Sequence, residues 1–225
     1  MHILVLGKGK TGSLVADVAR ERGHQVEALD VNENLNGAGL TAARLADVDA
    51  VIDFTAPEAA IANITAVLTA GSRIVVGTTG WYAQLDAMRA LATAHKGALL
   101  YGTNFSMGVL KLFQLTAALA QLEGYTFSID ETHHESKVDA PSGTAMTLQQ
   151  IVEAGHTGVS VEVTSHRVGD AKGEHIVTAT GPDDVIEIRH DALSRRGFAV
   201  GAVRAAEWLA GKEGAFDFRE IFEQL

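Results

Sequence analysis

Short apolar, β-branched runs alternate with helical patterns through the first half of this 225-residue chain. Each run is bounded by glycine or polar residues, as expected for a strand that is buried on both faces. The predicted strands are residues 3–6, 26–30, 48–53, 73–77 and 98–101. Strand–helix–strand repetition with such short connections requires a parallel sheet with helices on both faces.

The pattern changes after Asn104. A predicted helix over residues 107–122 is followed by strand-like runs with few helices between them. These runs are residues 125–129, 159–168, 175–180 and 185–190. They predict a second, α+β domain with a mostly antiparallel or mixed sheet. A last helix, over residues 199–210, is expected to return to the first domain.

Composition excludes several classes of protein. Lys and Arg total 18 against 28 Asp and Glu, so the net charge is −10 and no cationic surface is available for nucleic acid. The absence of cysteine excludes disulfides, thiolate metal sites and cysteine nucleophiles. The N-terminus lacks the basic start of a signal peptide, and no apolar stretch is long enough to cross a membrane. We therefore expect a cytoplasmic protein that binds neither nucleic acid nor membranes.

A G-x-G-x-x-G loop directly follows the first predicted strand and opens a helix. Its residues are Gly7, Lys8, Gly9, Lys10, Thr11 and Gly12. Glycines at these positions permit a tight turn, close approach of the backbone to a pyrophosphate, and close packing of helix on strand. The helix N-terminus adds N–H donors and the positive end of its dipole. The context predicts a Rossmann-type dinucleotide-binding domain, the alternative being a purely structural turn.

Asp30 stands at the end of the second predicted strand, where a carboxylate can accept hydrogen bonds from both ribose hydroxyls. Val31 and Asn32 follow it, so no cation directly offsets its repulsion of a 2′-phosphate. We therefore predict that NADH is preferred over NADPH. Lys8 and Lys10 remain alternative partners for a phosphate.

The second group of polar residues precedes another predicted helix. A Pro-Ser-Gly-Thr run predicts a helix start, at which the backbone N–H groups of Gly143 and Thr144 can donate hydrogen bonds to an anion. Lys137 supplies a nearby positive charge, and His133 and His134 supply proton-transfer groups with pKa values close to neutrality. An anion site, a cation and a proton donor beside a nucleotide fold suggest reduction of a small acidic substrate.

A metal site is the alternative for the two histidines. Adjacent residues on an extended chain point to opposite faces, and the neighbouring sequence contains no thiolate or third histidine. We therefore predict no metal. A solvent-exposed polar loop is the other alternative, and the Pro-Ser-Gly-Thr run argues against it.

With these residues the chain resembles the dihydrodipicolinate reductases (4-hydroxy-tetrahydrodipicolinate reductases) of bacterial lysine and diaminopimelate biosynthesis. The similarity is closest from Glu131 to Ala145. It extends to residues 53–55, 76–80, 104–108, 198–202 and 211–212, and thus covers nearly the whole chain. The glycine loop departs from the family pattern G-x-x-G-[RK]-M-G, because Gly9-Lys10-Thr11-Gly12 lacks the methionine and the loop is one residue shorter.

The resemblance implies a discontinuous Rossmann domain over residues 1–105 and 192–225, with residues 106–191 forming a domain for substrate binding and oligomerisation. It implies NADH or NADPH as cofactor, a cyclic dicarboxylate as substrate, tetrahydrodipicolinate as product, and a homotetramer. His133 and Lys137 would transfer protons, and a substrate carboxylate would be held by His134, Lys137, Gly143 and Thr144. The nicotinamide side would be lined by Gly77, Thr78, Thr79, Gly102, Thr103, Asn104 and Phe105.

Two other functions fit parts of the sequence. A different Rossmann oxidoreductase acting on a small carboxylate would also use the glycine loop. The short-chain dehydrogenases are disfavoured, since Tyr82, Tyr101 and Tyr125 lack the Tyr-x-x-x-Lys spacing. A non-catalytic NAD sensor would not need His133, Lys137 and the Gly143 turn together.

Overall fold

The computed structural model describes residues 1–156 and 161–225. Its strands are β1 (His2–Leu6), β2 (Gln25–Leu29), β3 (Ala50–Asp53), β4 (Arg73–Val76), β5 (Ala98–Tyr101), β6 (Thr126–His133), β7 (Glu162–Arg167), β8 (Glu174–Thr180), β9 (Val185–Asp191) and β10 (Gly214–Asp217). Its α-helices are α1 (Lys10–Glu21), α2 (Ala42–Leu45), α3 (Pro57–Thr69), α4 (Leu85–His95), α5 (Met107–Leu119), α6 (Gly143–Gly155), α7 (Arg196–Leu209) and α8 (Phe218–Ile221). The chain divides into one compact unit of Met1–Ser106 with Arg196–Leu225, and a second of Met107–Arg195.

The first unit is built on a six-stranded sheet in the order β10-β5-β4-β3-β1-β2, with every pair parallel. Strands β1 and β3–β5 are buried almost completely, because α3 and α4 pack on one face while α1 and α7 pack against each other on the opposite face. The alternating side chains of each strand therefore reach two separate apolar layers. Helix-covered faces explain why these strands are continuous apolar runs in the sequence.

The second unit contains a four-stranded sheet in the order β7-β6-β8-β9. β7 pairs parallel to β6, whereas β8 and β9 are antiparallel to their neighbours. Strand β6 alternates between buried and partly exposed residues, and its buried Phe127 and Ile129 pack with Leu148 and Val152 of α6. One face of the sheet therefore forms the core of this unit with its helices.

The predicted α/β class with a second mixed-sheet unit is confirmed, and several boundaries are corrected. β6 continues to His133 instead of ending at residue 129, since Glu131 and His133 occupy buried positions that continue its alternation. Strand β10 was missed, because Gly214–Asp217 is too short to show a pattern and becomes a strand only by pairing with β5. Helix α5 ends at Leu119, before residue 122. The start of the strand predicted over residues 159–168 lies outside the described residues.

Among the described residues, no helix combines the length and apolar character that a membrane span requires.

Candidate functional site

The glycine loop lies at the carboxyl edge of the parallel sheet. β1 pairs with β2 on one side and with β3 on the other, so the strand order changes direction at β1 and β3. Ligands of open α/β sheets bind at such a switch point, outside the carboxyl ends of the strands. Gly7 follows β1 there, and Phe54 follows β3.

The three glycines of the loop have different surroundings. A Cβ at Gly7, where φ is +97°, would lie 2.3 Å from the carbonyl oxygen of Phe54. A Cβ at Gly12 would lie 1.9 Å from the carbonyl oxygen of Gly7. At Gly9, by contrast, nothing lies within 4 Å of the added atom. Gly7 and Gly12 are therefore required for packing, while Gly9 leaves open space for a ligand.

Gly9 is also the N-cap of α1, and the helix has neither a side-chain cap nor an acidic residue in its first turn. The first N–H groups of an α-helix have no partners within the helix, and the helix dipole is positive at this end. The open space at Gly9 therefore adjoins donors that suit a pyrophosphate. Lys10 and Thr11 occupy the first positions of this helix, so the glycine loop opens a helix as the sequence predicted.

A cavity of about 690 Å³ extends from this loop. Pockets for small ligands and cofactors typically have volumes of about 300–1,000 Å³. Its lining residues are Leu6, Gly7, Lys8, Gly9, Leu29, Asp30, Val31, Asn34, Leu35, Asn36, Phe54, Thr55, Ala56, Glu58, Ala59 and Asn63. The cavity joins the predicted pyrophosphate loop to the predicted ribose carboxylate, so the residues present fit the nucleotide half of a nicotinamide cofactor.

Asp30 lies just after β2 and takes part in a small charged cluster. Its Oδ1 accepts hydrogen bonds from the backbone N–H groups of Asn32 (2.8 Å) and Glu33 (3.1 Å). Lys8 donates to Glu33 Oε2 at 2.6 Å and lies 3.9 Å from Asp30 Oδ2. The hydrogen bond from Lys8 lowers the pKa of Glu33. Two carboxylates thus face one lysine at this corner of the cavity.

A buried polar network lies beneath the same edge of the sheet. The Asp53 carboxylate is fully buried and accepts hydrogen bonds from the Thr55 and Thr78 hydroxyls, both at 2.7 Å, and from Asn63 at 2.8 Å. Asn63 in turn accepts a hydrogen bond from Asn34 at 2.8 Å. Burial raises the pKa of Asp53, while these hydrogen bonds oppose the shift. The network fixes the turns after β3 and β4 and the wall of the cavity.

The residues predicted for the nicotinamide side follow β4 and β5. Thr78 is buried in the Asp53 network, whereas Thr79 and Thr103 are exposed. Gly77 and Gly102 permit close packing, since a Cβ at Gly77 would lie 2.2 Å from the Phe54 ring. The Asn104 side chain accepts a hydrogen bond from the Ser106 N–H at 2.8 Å. The Phe105 ring is buried against Phe218, with ring centroids 4.5 Å apart, so its side chain supports the loop from below.

His133 is the last residue of β6 and is held by a buried carboxylate. Its Nδ1 forms a hydrogen bond with Glu131, and Arg167 pairs with the other oxygen of Glu131 at 3.0 Å. Burial raises the pKa of Glu131, but the neighbouring Ser165 hydroxyl, the Arg167 guanidinium and the His133 ring outweigh it, and the net shift is downward. Burial lowers the pKa of His133, although Glu131 opposes this shift.

Nδ1 of His133 is engaged by Glu131, and the other ring nitrogen is Nε2. It lies beside Gly173, where an added Cβ would approach it to 3.1 Å. Arg167 also donates to the carbonyl oxygen of Asp139 at 2.7 Å. One guanidinium therefore holds both the carboxylate behind the imidazole and the loop that carries Lys137.

Lys137 Nζ donates to both oxygens of Asp139, at 2.7 and 2.9 Å, and this hydrogen bonding lowers the pKa of Asp139. His134 lies outside the strand, and its Nδ1 is 2.9 Å from the Ser136 hydroxyl. The two adjacent histidines thus belong to different structural elements: His133 ends β6, and His134 begins the following loop.

Ser142 caps α6, with its hydroxyl accepting a hydrogen bond from the Ala145 N–H at 3.2 Å. Gly143 and Thr144 begin the helix, and nothing lies within 4 Å of a Cβ built at Gly143. The space beside Gly143 at the start of the helix is therefore open.

His175 of β8 lies next to His133, with ring centroids 5.2 Å apart, and its Nε2 is 3.1 Å from the Ser142 hydroxyl. Glu131, His133 and His175 offer ligand atoms within 4.8 Å of one another, which is compatible in distance with a metal ion. Within this cluster Glu131 is paired with Arg167 and with Nδ1 of His133.

Both halves of the chain match models of one protein family. A model of the dihydrodipicolinate reductase N-terminus matches residues 1–105, and a model of the C-terminus of the same enzyme matches residues 108–222. The chain belongs to the dihydrodipicolinate reductase family. The predicted family is therefore confirmed, and with it an oxidoreductase that uses a nicotinamide cofactor.

Other dihydrodipicolinate reductases resemble the chain over its whole length. The 4-hydroxy-tetrahydrodipicolinate reductase of Christiangramia forsetii is 35% identical, covering 100% of this chain and 99% of the relative. That of Natronomonas pharaonis is 39% identical and covers 98% and 99%. The solved structure of dipicolinate-bound dihydrodipicolinate reductase from Paenisporosarcina sp. TG-14 has a TM-score of 0.80 at 21% identity, covering 98% and 99%, and supports the fold.

The structure adds several residues to the candidate site that the sequence did not reveal. Glu131, Arg167 and His175 are brought together by strand pairing, Asn63 by the packing of α3 on the sheet, and Glu33 by the loop after β2. The sequence could have indicated Glu131, because residues two apart in a strand lie on the same face and Glu131 stands two residues before His133. The other residues had no such signal in the local sequence.

Proposed function

We propose that the chain is a 4-hydroxy-tetrahydrodipicolinate reductase, which reduces the cyclic dicarboxylate to tetrahydrodipicolinate in lysine and diaminopimelate biosynthesis. The observation that carries the proposal is the presence of His133, Lys137 and the N-terminus of α6 in one unit of a chain with full-length similarity to such enzymes. In this proposal, Met1–Ser106 with Arg196–Leu225 binds the cofactor and Met107–Arg195 binds the substrate.

The cofactor, when bound, supplies a hydride to the carbon conjugated with the substrate imine. The N–H groups at the start of α1 would hold its pyrophosphate, since the space at Gly9 is open and Gly12 closes the packing behind it. The turns that carry Thr79 and Thr103 would border the nicotinamide, because they follow neighbouring strands at the same edge of the sheet.

NADH is proposed as the preferred cofactor. The oxygen Oδ2 of Asp30 is free of the turn bonds made by Oδ1, so it can accept from a ribose hydroxyl. A 2′-phosphate at this corner would meet Asp30 and Glu33, and the single charge of Lys8 is already shared between them. Repulsion from two carboxylates therefore disfavours NADPH.

The substrate side of the proposal depends on opposite charges. The first N–H groups of α6, at Gly143 and Thr144, would receive one substrate carboxylate, and His134 would hydrogen-bond to it. Lys137 would exchange its contacts with Asp139 for a substrate oxygen, since both are carboxylates. These charges also stabilise the negative charge that develops on the ring during reduction.

His133 would protonate the reduced ring through Nε2. In the free protein burial lowers its pKa, so the neutral form is favoured near pH 7. A bound dianion favours the charged imidazole and raises the pKa of His133. His133 is then protonated when the substrate is present and can donate this proton. General acid catalysis of this type contributes about 10²–10⁴-fold to the rate.

A homotetramer located in the cytoplasm completes the proposal. The second face of the four-stranded sheet supports assembly: on it, Asp130, Thr132, Ile176 and Thr178 remain partly exposed. Copies of the chain could cover this face, and light scattering of the purified protein would give the number of chains.

The test is oxidation of NADH or NADPH with substrate made in situ from pyruvate and aspartate semialdehyde by the corresponding synthase. Rapid loss of the reduced nicotinamide absorbance, dependent on the synthase, is expected with NADH and slower loss with NADPH. Absence of turnover with both, in protein that binds the nucleotide, would refute the proposed reaction.

A further inference from the structure

His175 is a buried polar residue to which the reaction described above gives no part. It lies on β8 opposite Glu131 of β6, and only 4% of its surface is exposed. One side of its ring contacts His133 edge-to-face, and its Nε2 contacts the Ser142 hydroxyl at 3.1 Å. His175 therefore connects the proposed proton donor with the N-cap of the helix proposed to bind the substrate anion.

The hydrogen bonds around Ser142 are compatible with a neutral His175 that accepts at Nε2. The Ser142 oxygen accepts from the Ala145 N–H, so its own hydrogen is available to donate to Nε2 of His175. A neutral imidazole that accepts at Nε2 carries its proton on Nδ1. This Nδ1 is buried and has no hydrogen-bond partner within the described part of the chain.

Charged and titratable groups face His175 from several elements. Glu131 and His133 face it from β6, His190 from β9, and Lys137 from the loop after β6. Burial, with repulsion from His133 as the next cause, lowers the pKa of His175 to about 4. When a proton enters this pair of histidines, it therefore resides on His133, beside Glu131.

We propose that His175 is a positioning residue for the reduction, which holds the ring of His133 and the hydroxyl of Ser142 in one fixed arrangement. The inference rests on the proposed function. As a neutral acceptor for Ser142 it fixes the start of α6, and as an edge-to-face neighbour it restricts the rotation of the His133 ring. Proton donor and anion site then keep their mutual position without a second positive charge.

Two substitutions of His175 distinguish the effect of its hydrogen bond with Ser142 from the effect of its side-chain volume. In His175→Gln the amide oxygen can accept from the Ser142 hydroxyl, whereas in His175→Leu a similar volume lacks an acceptor. We expect His175→Leu to lower kcat about tenfold, the effect of one lost hydrogen bond. His175→Gln should restore most of that loss, and both variants should bind NADH like the wild type.

A matched control is His190→Leu. His190 is the cross-strand neighbour of His175 on β9 and is also a partly buried histidine with a lowered pKa, but it makes no contact with Ser142 among the hydrogen bonds of the described residues. We expect its kcat to stay near the wild-type value. Thermal unfolding of each variant monitors folding.

Coupling through Ser142 is tested by a double-mutant cycle. Ser142→Gly removes the hydroxyl at small cost to the cap, since glycine is itself tolerated at N-caps. If His175 acts through this hydroxyl, His175→Leu should reduce kcat far less in the Ser142→Gly background. Equal kcat for wild type and His175→Leu, or additive losses in the cycle with no rescue by glutamine, would overturn the inference. Failure of the proposed function is distinguishable, because the wild type itself would then be inactive.

Discussion

The two glycines at the start of α1 should respond to substitution in opposite ways. Gly12→Ala places a methyl group 1.9 Å from the carbonyl oxygen of Gly7, and a backbone atom cannot rotate away. Gly9→Ser adds a side chain into open space at an N-cap with φ −76° and ψ −174°, an extended conformation that serine adopts readily. The first change should damage the fold, and the second should damage only the cofactor site.

The magnitudes follow from these contacts. Overpacking by a buried methyl group destabilises a protein by up to about 3 kcal/mol, whereas the higher helix propensity of alanine relative to glycine stabilises it by about 1 kcal/mol. The free energy of unfolding of Gly12→Ala should therefore fall by about 2 kcal/mol, which lowers Tm by about 4–8 °C for a chain of this size. Serine is at least as good an N-cap as glycine, so the Tm of Gly9→Ser without cofactor should stay equal or rise slightly.

The cofactor affinity of Gly9→Ser should nevertheless fall. Its side chain fills the space proposed for the pyrophosphate, and its hydroxyl competes for the same N–H groups. Loss of one hydrogen bond to a charged group costs about 1.5–3 kcal/mol, which weakens NADH binding about 10- to 100-fold. Thermal unfolding by circular dichroism and fluorescence titration with NADH measure both effects. Wild-type NADH affinity in Gly9→Ser, or wild-type Tm in Gly12→Ala, would refute the reasoning.

Three further predictions concern charged groups. His133→Ala and Lys137→Ala should each lower kcat at least ~10²-fold while NADH still binds, because they remove the proposed proton donor and the substrate cation; near-normal turnover in both contradicts the assignment. The pKa of His175 is lowered from 6.5 to about 4, so the stability due to its neutral form is present above about pH 6.5 and is lost as pH falls towards 4. Between pH 6.5 and pH 4 the free energy of unfolding of the wild type should therefore fall by about 3 kcal/mol more than that of His175→Gln, as measured by urea unfolding. The same pH dependence in both proteins would argue against a lowered pKa of His175. Finally, Asp30→Asn combined with Glu33→Gln should raise the ratio of kcat/KM for NADPH over NADH about tenfold by removing two like charges from the 2′-phosphate position, and an unchanged ratio excludes this origin of selectivity.

The sequence alone was sufficient for features that depend on neighbouring residues. The parallel sheet was predictable because its strands are buried on both faces and therefore form continuous apolar runs. The glycine loop and the start of α6 at Ser142 were predictable because turns and N-caps require particular residues within a few positions. His133 and Lys137 were singled out by their residue types beside the Pro-Ser-Gly-Thr run and then by the family signature, and both signals are local.

Only the tertiary structure decided which distant residues complete the cluster around His133. The parallel register of β7 places Arg167 opposite His133, and the antiparallel register of β8 places His175 opposite Glu131. A shift of either strand by one residue would turn these side chains to the other face of the sheet. Register is set by the packing of the whole sheet on its helices, so no local pattern contains it. For the same reason β10 is a strand only where β5 offers it a partner.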